Sequence, residues 1–146
     1  MTIAAGPAGQ VRRSLGHQPY WVELLSGGTA AAWGWAVLRL PGGLAERAPY
    51  HPLARFAPDH VWASVAILGA AVQLATALLN VRHLRPIVDV AMAMFWLLLA
   101  DGVQAGTPDS PTTAPYLGLV AANLVSIGYL LAPAARRVAA GLRCGR

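Results

Sequence analysis

The sequence predicts an all-α integral membrane protein: a four-helix bundle with up-down-up-down topology and both termini in the cytoplasm. Hydrophobic residues make up 56% of the 146 residues and charged residues only 12%. A soluble domain usually carries about twice that charged fraction. The apolar residues also gather in long runs that are separated by short turns, which is the pattern of membrane-spanning helices.

The clearest run covers residues 61–81, which carry no formal charge. As an α-helix this run is about 31 Å long, close to the thickness of the hydrocarbon layer. The connector that follows, residues 82–85, is too short for anything but an antiparallel neighbour. Pro86 suits the first turn of the next helix, because its missing N–H has no partner there anyway.

Three further spans complete the predicted bundle over residues 20–132, at about 21–40, 86–103 and 114–131. Tyr20 and Trp21 form an aromatic anchor for the first span, which the Pro41-Gly42-Gly43 segment ends. In the long loop after it, residues 53–56 are expected to form one turn of interfacial helix. Asp59 is expected to cap the second span.

Arginine counts give the orientation. Residues 1–19 are read as a mobile N-terminal tail and residues 133–146 as a basic C-terminal tail. With the 82–85 connector they hold eight arginines, against three on the opposite side, Arg39, Arg47 and Arg55. The positive-inside rule therefore places both tails in the cytoplasm. A cleaved signal peptide is the alternative, but Glu23 and the length of the first run disfavour it.

The sequence contains no recognisable catalytic, phosphate-binding or metal-binding motif. The four histidines lie in separate tails and loops, and no basic stripe is interleaved with aromatic residues. Cys144 is the only cysteine, so no disulfide can form within the chain. We therefore expect no enzymatic activity, catalytic residue, cofactor, metal site or nucleic-acid partner.

Two amides lie near the middle of predicted spans, Gln73 in the second and Asn123 in the fourth. Because lipid offers no hydrogen-bond partners, both side chains are expected to face the protein interior. A hydrogen bond between them, or between copies in an oligomer, would contribute about 0.6–2 kcal/mol. Such amides hold helices together or, alternatively, line a polar pore.

Small residues recur every four positions in the fourth span, at Gly118, Ala122 and Ser126. They lie along one helix face and permit close approach of a second helix. The second span has a similar surface, made by Ala63, Ala66, Gly69, Ala70 and Ala77. Packing within one chain is the default interpretation, and self-association is the alternative.

Acidic residues occur about one turn inside the cytoplasmic boundary, at Glu23 and Asp89. Arg82 and Arg85 lie close by in the sequence, so interfacial ion pairs are expected. A proton relay would need acidic groups across the whole membrane, and Asp101 alone continues the series. The pattern therefore favours ion pairing over a relay.

Three segments carry a resemblance to a known class: HQPYWVELLSGGTAAAWGWAVL, HPLARFAPDHVWASVAILGAAVQL and MFWLLLADG. Over residues 17–131 the chain resembles small four-span membrane proteins of tailed bacteriophages and prophages, some of them called holin-like. The resemblance implies a bacterial inner membrane location, with the lipid bilayer as a partner, and holin-like permeabilisation by helix association. An accessory or structural subunit of a larger membrane or virion complex, a homo-oligomer, and a small channel or transporter are the alternatives.

Overall fold

The computed structural model describes residues 20–109 and 111–144, and this part of the chain is helical without any strand. The predicted mobile tail, residues 1–19, lies outside the described residues. Two 3₁₀ turns, Leu44–Glu46 and Ala48–Tyr50, precede the second α-helix. The α-helices are α1 (Tyr20–Leu38), α2 (His51–Phe56), α3 (Asp59–Leu78), α4 (Arg85–Gly106) and α5 (Thr113–Cys144).

Long helices occupy all four predicted spans, and three of them are long and apolar enough to cross a membrane. These three are α3, α4 and the Thr113–Ala132 part of α5. Helix α1 is not one of these three; Glu23, three glycines and three tryptophans lie among its 19 residues. The structure thus bears out an all-helical chain with three membrane-crossing candidates.

Two helix ends differ from those predicted. Helix α4 continues to Gly106 rather than ending near residue 103. Helix α5 continues beyond Pro133 as far as Cys144, so the segment predicted as a tail is helical over its described part.

The end of α3 is fixed by a Schellman motif, a common hydrogen-bonded helix terminus. The amide of Val81 donates to the carbonyl of Thr76, and the amide of Asn80 donates to that of Ala77. Asn80 has a positive φ of 52°, a conformation that asparagine tolerates better than most residues. This turn lets the chain reverse within a few residues and begin α4.

The loop between α1 and α3 folds onto the end of the helices. Helix α2 replaces the predicted interfacial turn, and its Leu53 is buried against Gly102 of α4, whereas Phe56 is exposed. Trp62 donates its indole N–H to the carbonyl of Leu53 over 3.1 Å. The predicted capping role of Asp59 is wrong: Asp59 is the first helical residue, and its carboxylate accepts from the amide of Leu44 in this loop.

The four long helices are arranged as two pairs, α1 with α3 and α4 with α5, which meet along narrower contacts. Small residues explain the close approach within the first pair. Gly34 of α1 lies against the backbone carbonyl of Ala63 and the side chains of Ala66 and Ile67. The small-residue surface predicted for the second span, which is α3, is buried at Ala63, Ala66, Ala70 and Ala77.

Aromatic side chains fill one half of the interior of the bundle, mainly along α4 and α5. Phe95 and Trp96 of α4 contact each other edge to face, and Trp96 stacks on Tyr116 of α5 with ring centroids 5.8 Å apart. The hydroxyl groups of Tyr116 and Tyr50 are 2.7 Å apart, within hydrogen-bond distance. Aromatic side chains therefore fill this half of the interior.

The outer faces of the long helices expose large apolar side chains. Examples occur on each of them: Leu24, Leu25, Trp35, Leu68, Val72, Leu97, Leu98, Leu117 and Leu124. In water such continuous apolar surfaces would promote aggregation. The same surfaces match a lipid environment.

A pair of glycine substitutions tests the close packing of α1 on α3. A Cβ at position 34 would lie 2.9 Å from the carbonyl oxygen of Ala63, whereas a Cβ at Gly28 would meet nothing within 4 Å. We expect Gly34→Ala to lower the stability of the detergent-solubilised protein by about 1–3 kcal/mol through overpacking. Gly28→Ala is expected to be neutral or slightly stabilising, because alanine favours helix. Equal stability of the two variants in denaturant titrations followed by circular dichroism would contradict this packing.

Candidate functional site

A set of polar side chains lies between the two helix pairs, and we call it the polar seam. Each member is at most 1% exposed. The members are Glu23 and Ser26 of α1, Gln73 of α3, Arg85 and Asp89 of α4, and Asn123 and Ser126 of α5.

Helical periodicity places these residues on the inward faces. On α4 six of the ten buried residues follow one another at alternate spacings of four and three positions: Arg85, Asp89, Met92, Trp96, Leu99 and Val103. The same spacing on α5 aligns Tyr116, Leu119, Asn123 and Ser126. Residues so spaced lie on one side of a helix, so each seam residue continues an otherwise apolar stripe.

An ion pair forms one end of the seam. The Nε of Arg85 donates to Oε1 of Glu23 over 2.7 Å, and Nη2 lies at the same distance from that oxygen. The guanidinium also lies over the ring of Tyr20, 4.4 Å from its centroid. Tyr20 in turn donates to the side-chain oxygen of Asn80 over 3.2 Å. The charged pair is therefore enclosed by the ends of α1, α3 and α4.

Gln73 joins three helices in the middle of the seam. Its amide nitrogen donates to Oδ1 of Asp89 over 3.0 Å and to Oδ1 of Asn123 over 2.9 Å. Both N–H groups of this amide are thus used. A third contact nearby, from the Thr76 hydroxyl to the carbonyl of Gln73, stays within α3.

Ser26 is the second meeting point of helices. Its hydroxyl oxygen accepts from the indole N–H of Trp96 and from the amide of Asn123, each over 3.0 Å. Asn123 also donates to the carbonyl of Leu119, four residues earlier on α5. The seam thus reaches midway along α4, where the aromatic half of the interior begins.

The most informative property of these contacts is which helices they connect. All five connect one helix pair to the other: Glu23 to Arg85, Gln73 to Asp89, Gln73 to Asn123, Trp96 to Ser26, and Asn123 to Ser26. Within each pair, by contrast, apolar packing dominates. These five polar contacts join the two pairs, together with apolar contacts such as Trp33 against Phe95 and Gly69 against Met92.

Several oxygen atoms in the seam lack a hydrogen-bond donor among the described residues. They are Oε2 of Glu23, Oε1 of Gln73 and Oδ2 of Asp89. The hydroxyl of Ser126 lies beside the Asp89 carboxylate without a hydrogen bond of good geometry. Buried acceptors without donors are energetically costly, so this part of the seam has capacity for an additional donor.

The structure brings together most of the polar residues identified from the sequence. Gln73 and Asn123 bond directly within one chain, and Glu23 pairs with Arg85. The predicted involvement of Arg82 does not occur, since Arg82 is exposed. Asp89 receives the Gln73 amide instead, and the carboxylates of Glu23 and Asp89 are both buried within the protein rather than at a water boundary.

The small residues of the fourth span do not form one inward face. Ser126 is buried, Ala122 is half-buried, and Gly118 is exposed with nothing within 4 Å of the position of a Cβ. Because positions 118 and 126 are eight residues apart, helical geometry rotates them away from each other. Gly118 therefore does not serve packing within the described bundle.

Sequence reasoning missed Ser26 and Trp96. Each lies on the same helix face as a charged residue: Ser26 follows Glu23 by three positions, and Trp96 follows Asp89 by seven. Following the spacing from each charged residue along its helix would have identified them.

The chemical groups that the seam offers are hydrogen-bonding side chains and two carboxylates. The described residues contain no group of three or more histidine, cysteine or acidic side chains that could hold a metal ion.

Comparison with protein-family models, with curated proteins and with solved structures found no match.

Breaking the ion pair provides a direct test of the charged end of the seam. We expect Arg85→Gln to destabilise the detergent-solubilised protein by about 3–5 kcal/mol, because Glu23 would be left buried without its counter-ion. Arg82→Gln, which removes an exposed arginine three residues away, is the matched control and should change stability little. The double variant Glu23→Gln/Arg85→Gln should lose less than the sum of the single variants. Additive losses in denaturant titrations would show that the two side chains are not coupled.

Proposed function

We propose that the chain is a four-span protein of the bacterial inner membrane that acts by helix association, with holin-like permeabilisation as its activity. Both termini lie in the cytoplasm, and the activity needs no catalytic residue or cofactor. One observation carries the proposal: two apolar-surfaced helix pairs meet through polar side chains. The resemblance to small bacteriophage membrane proteins supports the same activity.

The case for α1 as a fourth span rests on where its polar residues point. Glu23 and Ser26 face the seam and are buried. The outward side chains are apolar and large, namely Trp21, Leu24, Leu25, Trp35 and Leu38. Glu23 and Ser26 thus lie where lipid would not meet them, and the surface of α1 resembles that of the other spans.

The seam provides the chemistry for permeabilisation. Separation of the pairs would expose Gln73, Asp89 and Asn123, which then need water or polar groups of another copy. Several opened copies in contact would line an aqueous lesion with these side chains. The exposed face at Gly118 offers such copies a place for close helix approach.

A second candidate function is that of an accessory subunit in a larger membrane or virion complex. In the closed arrangement most seam groups find partners within one chain, and rings of Phe95, Trp96 and Tyr116 close the rest of the interior. A closed bundle with an apolar exterior suits lateral docking to another membrane protein. The same rings disfavour a small channel or transporter that conducts through the closed bundle.

Controlled expression in a bacterial host tests the proposed activity. The wild-type chain is expected to collapse the membrane potential, reported by a potential-sensitive dye. The double variant Gln73→Leu/Asn123→Leu should insert equally well and leave the potential intact, because its opened seam is apolar. Ser64→Leu, a polar-to-apolar change at an exposed position of α3, should behave as the wild type.

Failure of the wild type to depolarise cells at good membrane expression would contradict the holin-like activity. Stoichiometric co-purification with one membrane or virion protein in that case would support the accessory function. Equal depolarisation by the wild type and by Gln73→Leu/Asn123→Leu would show that the seam does not line the lesion.

Reporter fusions test the proposed topology separately. Alkaline phosphatase fused after residue 146 should be inactive, and green fluorescent protein at either terminus should be fluorescent, because both ends are proposed to be cytoplasmic. Opposite compartments for the two ends would contradict an even number of spans.

A further inference from the structure

We propose that the polar seam binds one proton, held on the carboxylate of Asp89. The inference rests on the proposed placement of the seam inside the membrane. The ligand is a proton taken from water: the carboxylate accepts it from hydronium, and a new O–H bond forms as water is released. No redox change and no further reactant is involved.

The first argument is the distribution of charge in the seam. Glu23 and Asp89 are its two carboxylates, and Arg85 is the one basic side chain buried there among the described residues. Arg85 directs both Nε and Nη2 at Oε1 of Glu23, each over 2.7 Å. Both of these nitrogens face Glu23, whereas the hydrogen bond that reaches Asp89 comes from the neutral amide of Gln73.

The second argument is the set of groups that face Asp89. From α4 and α1 the charged groups are Arg85 and Glu23, which pair with each other. From α3 Gln73 donates to Oδ1, and from α5 Ser126 lies beside the carboxylate. Among the described residues, neither Oδ2 of Asp89 nor Oε1 of Gln73 has a hydrogen-bond partner, although both side chains are 1% exposed.

These observations identify what the site lacks. The unsatisfied oxygens of Gln73 and Asp89 are both acceptors, and the Ser126 hydroxyl beside Asp89 can supply one O–H at most, so the site has fewer donors than acceptors. A proton on Oδ2 supplies one O–H donor and removes the uncompensated charge at the same time. With one arginine buried beside two carboxylates, a proton on one of the carboxylates avoids an unbalanced charge in the low-dielectric interior.

Proton binding has a consequence for the proposed opening of the helix pairs. The closed seam holds the proton, whereas an opened and hydrated Asp89 releases it. By linkage, a higher proton concentration then favours the closed arrangement. The proton thus stabilises the closed state of the same seam that lines the proposed lesion.

Infrared spectroscopy of the full chain in lipid bilayers detects the protonated group directly. At neutral pH we expect the carbonyl stretch of one protonated carboxylic acid, shifted when aspartate is labelled with ¹³C at its carboxyl group. The band should be lost in Asp89→Asn, which mimics the neutral side chain. It should remain in Asp101→Asn, which alters an exposed aspartate of the same helix, and in Glu23→Gln.

The outcomes are distinguishable from those of the permeabilisation assay, because the band requires only a folded protein in a bilayer. Absence of the band, its persistence in Asp89→Asn, or its loss in Glu23→Gln alone would overturn the proposal. Appearance of the band only when sodium is replaced by choline would also overturn it, since the site would then hold sodium. If Asp89→Asn does not fold, the ¹³C shift in the wild type decides, because it shows whether the acid is an aspartate.

A labelled band in a protein that does not permeabilise cells would leave the proton site standing and remove only the holin-like activity.

Discussion

The rest of this structure depends on one constraint: polar groups buried in an apolar interior need hydrogen-bond partners. A hydrogen-bonding group that is removed from water must find a partner in the protein or carry the free-energy cost of having none. The side-chain N–H groups of Gln73 and Asn123 meet this requirement, because they donate to Asp89, Asn123, Ser26 and the carbonyl of Leu119. The positions of four helices are thereby linked through a few polar atoms.

The contrast between apolar and polar contacts gives the bundle its two-part organisation. Alanine and glycine allow α1 and α3 to pack closely, and rings connect α4 to α5. Such contacts have little directional preference. Hydrogen bonds between the pairs require particular atoms at particular distances, so they fix the register in which the pairs meet. A joint made of few directional contacts is also one that can open as a unit, which is why we place the function there.

Much of the fold could be predicted from the sequence, because long apolar runs form helices in lipid and the short polar segments between them form turns. The run of residues 61–81 predicted a long helix, and the short connector before Pro86 predicted a tight reversal. The ends of helices were less predictable. Asn80 ends α3 through backbone geometry that hydropathy does not encode, and Pro133 does not end α5.

The candidate site could be predicted only in part. The position of Gln73 and Asn123 in the middle of their spans was enough to place both in the interior. The choice of partner was not predictable, because it depends on helix rotation: Arg85 faces Glu23, whereas Arg82 points outward. The role of Ser26 as a shared acceptor requires three helices to converge, and a single sequence does not contain that information.

A solid-state NMR measurement in lipid bilayers tests the central claim, that polar side chains join the two pairs inside the membrane. The sample carries ¹⁵N in glutamine side chains and ¹³C in asparagine side-chain carbonyls. The Gln73 to Asn123 hydrogen bond of 2.9 Å predicts a dipolar contact between the two labels at roughly 4 Å. The contact should be absent in Gln73→Leu and insensitive to exchange with bulk water. No contact in the wild type, or rapid exchange of the Asn123 amide protons with water, would contradict the account.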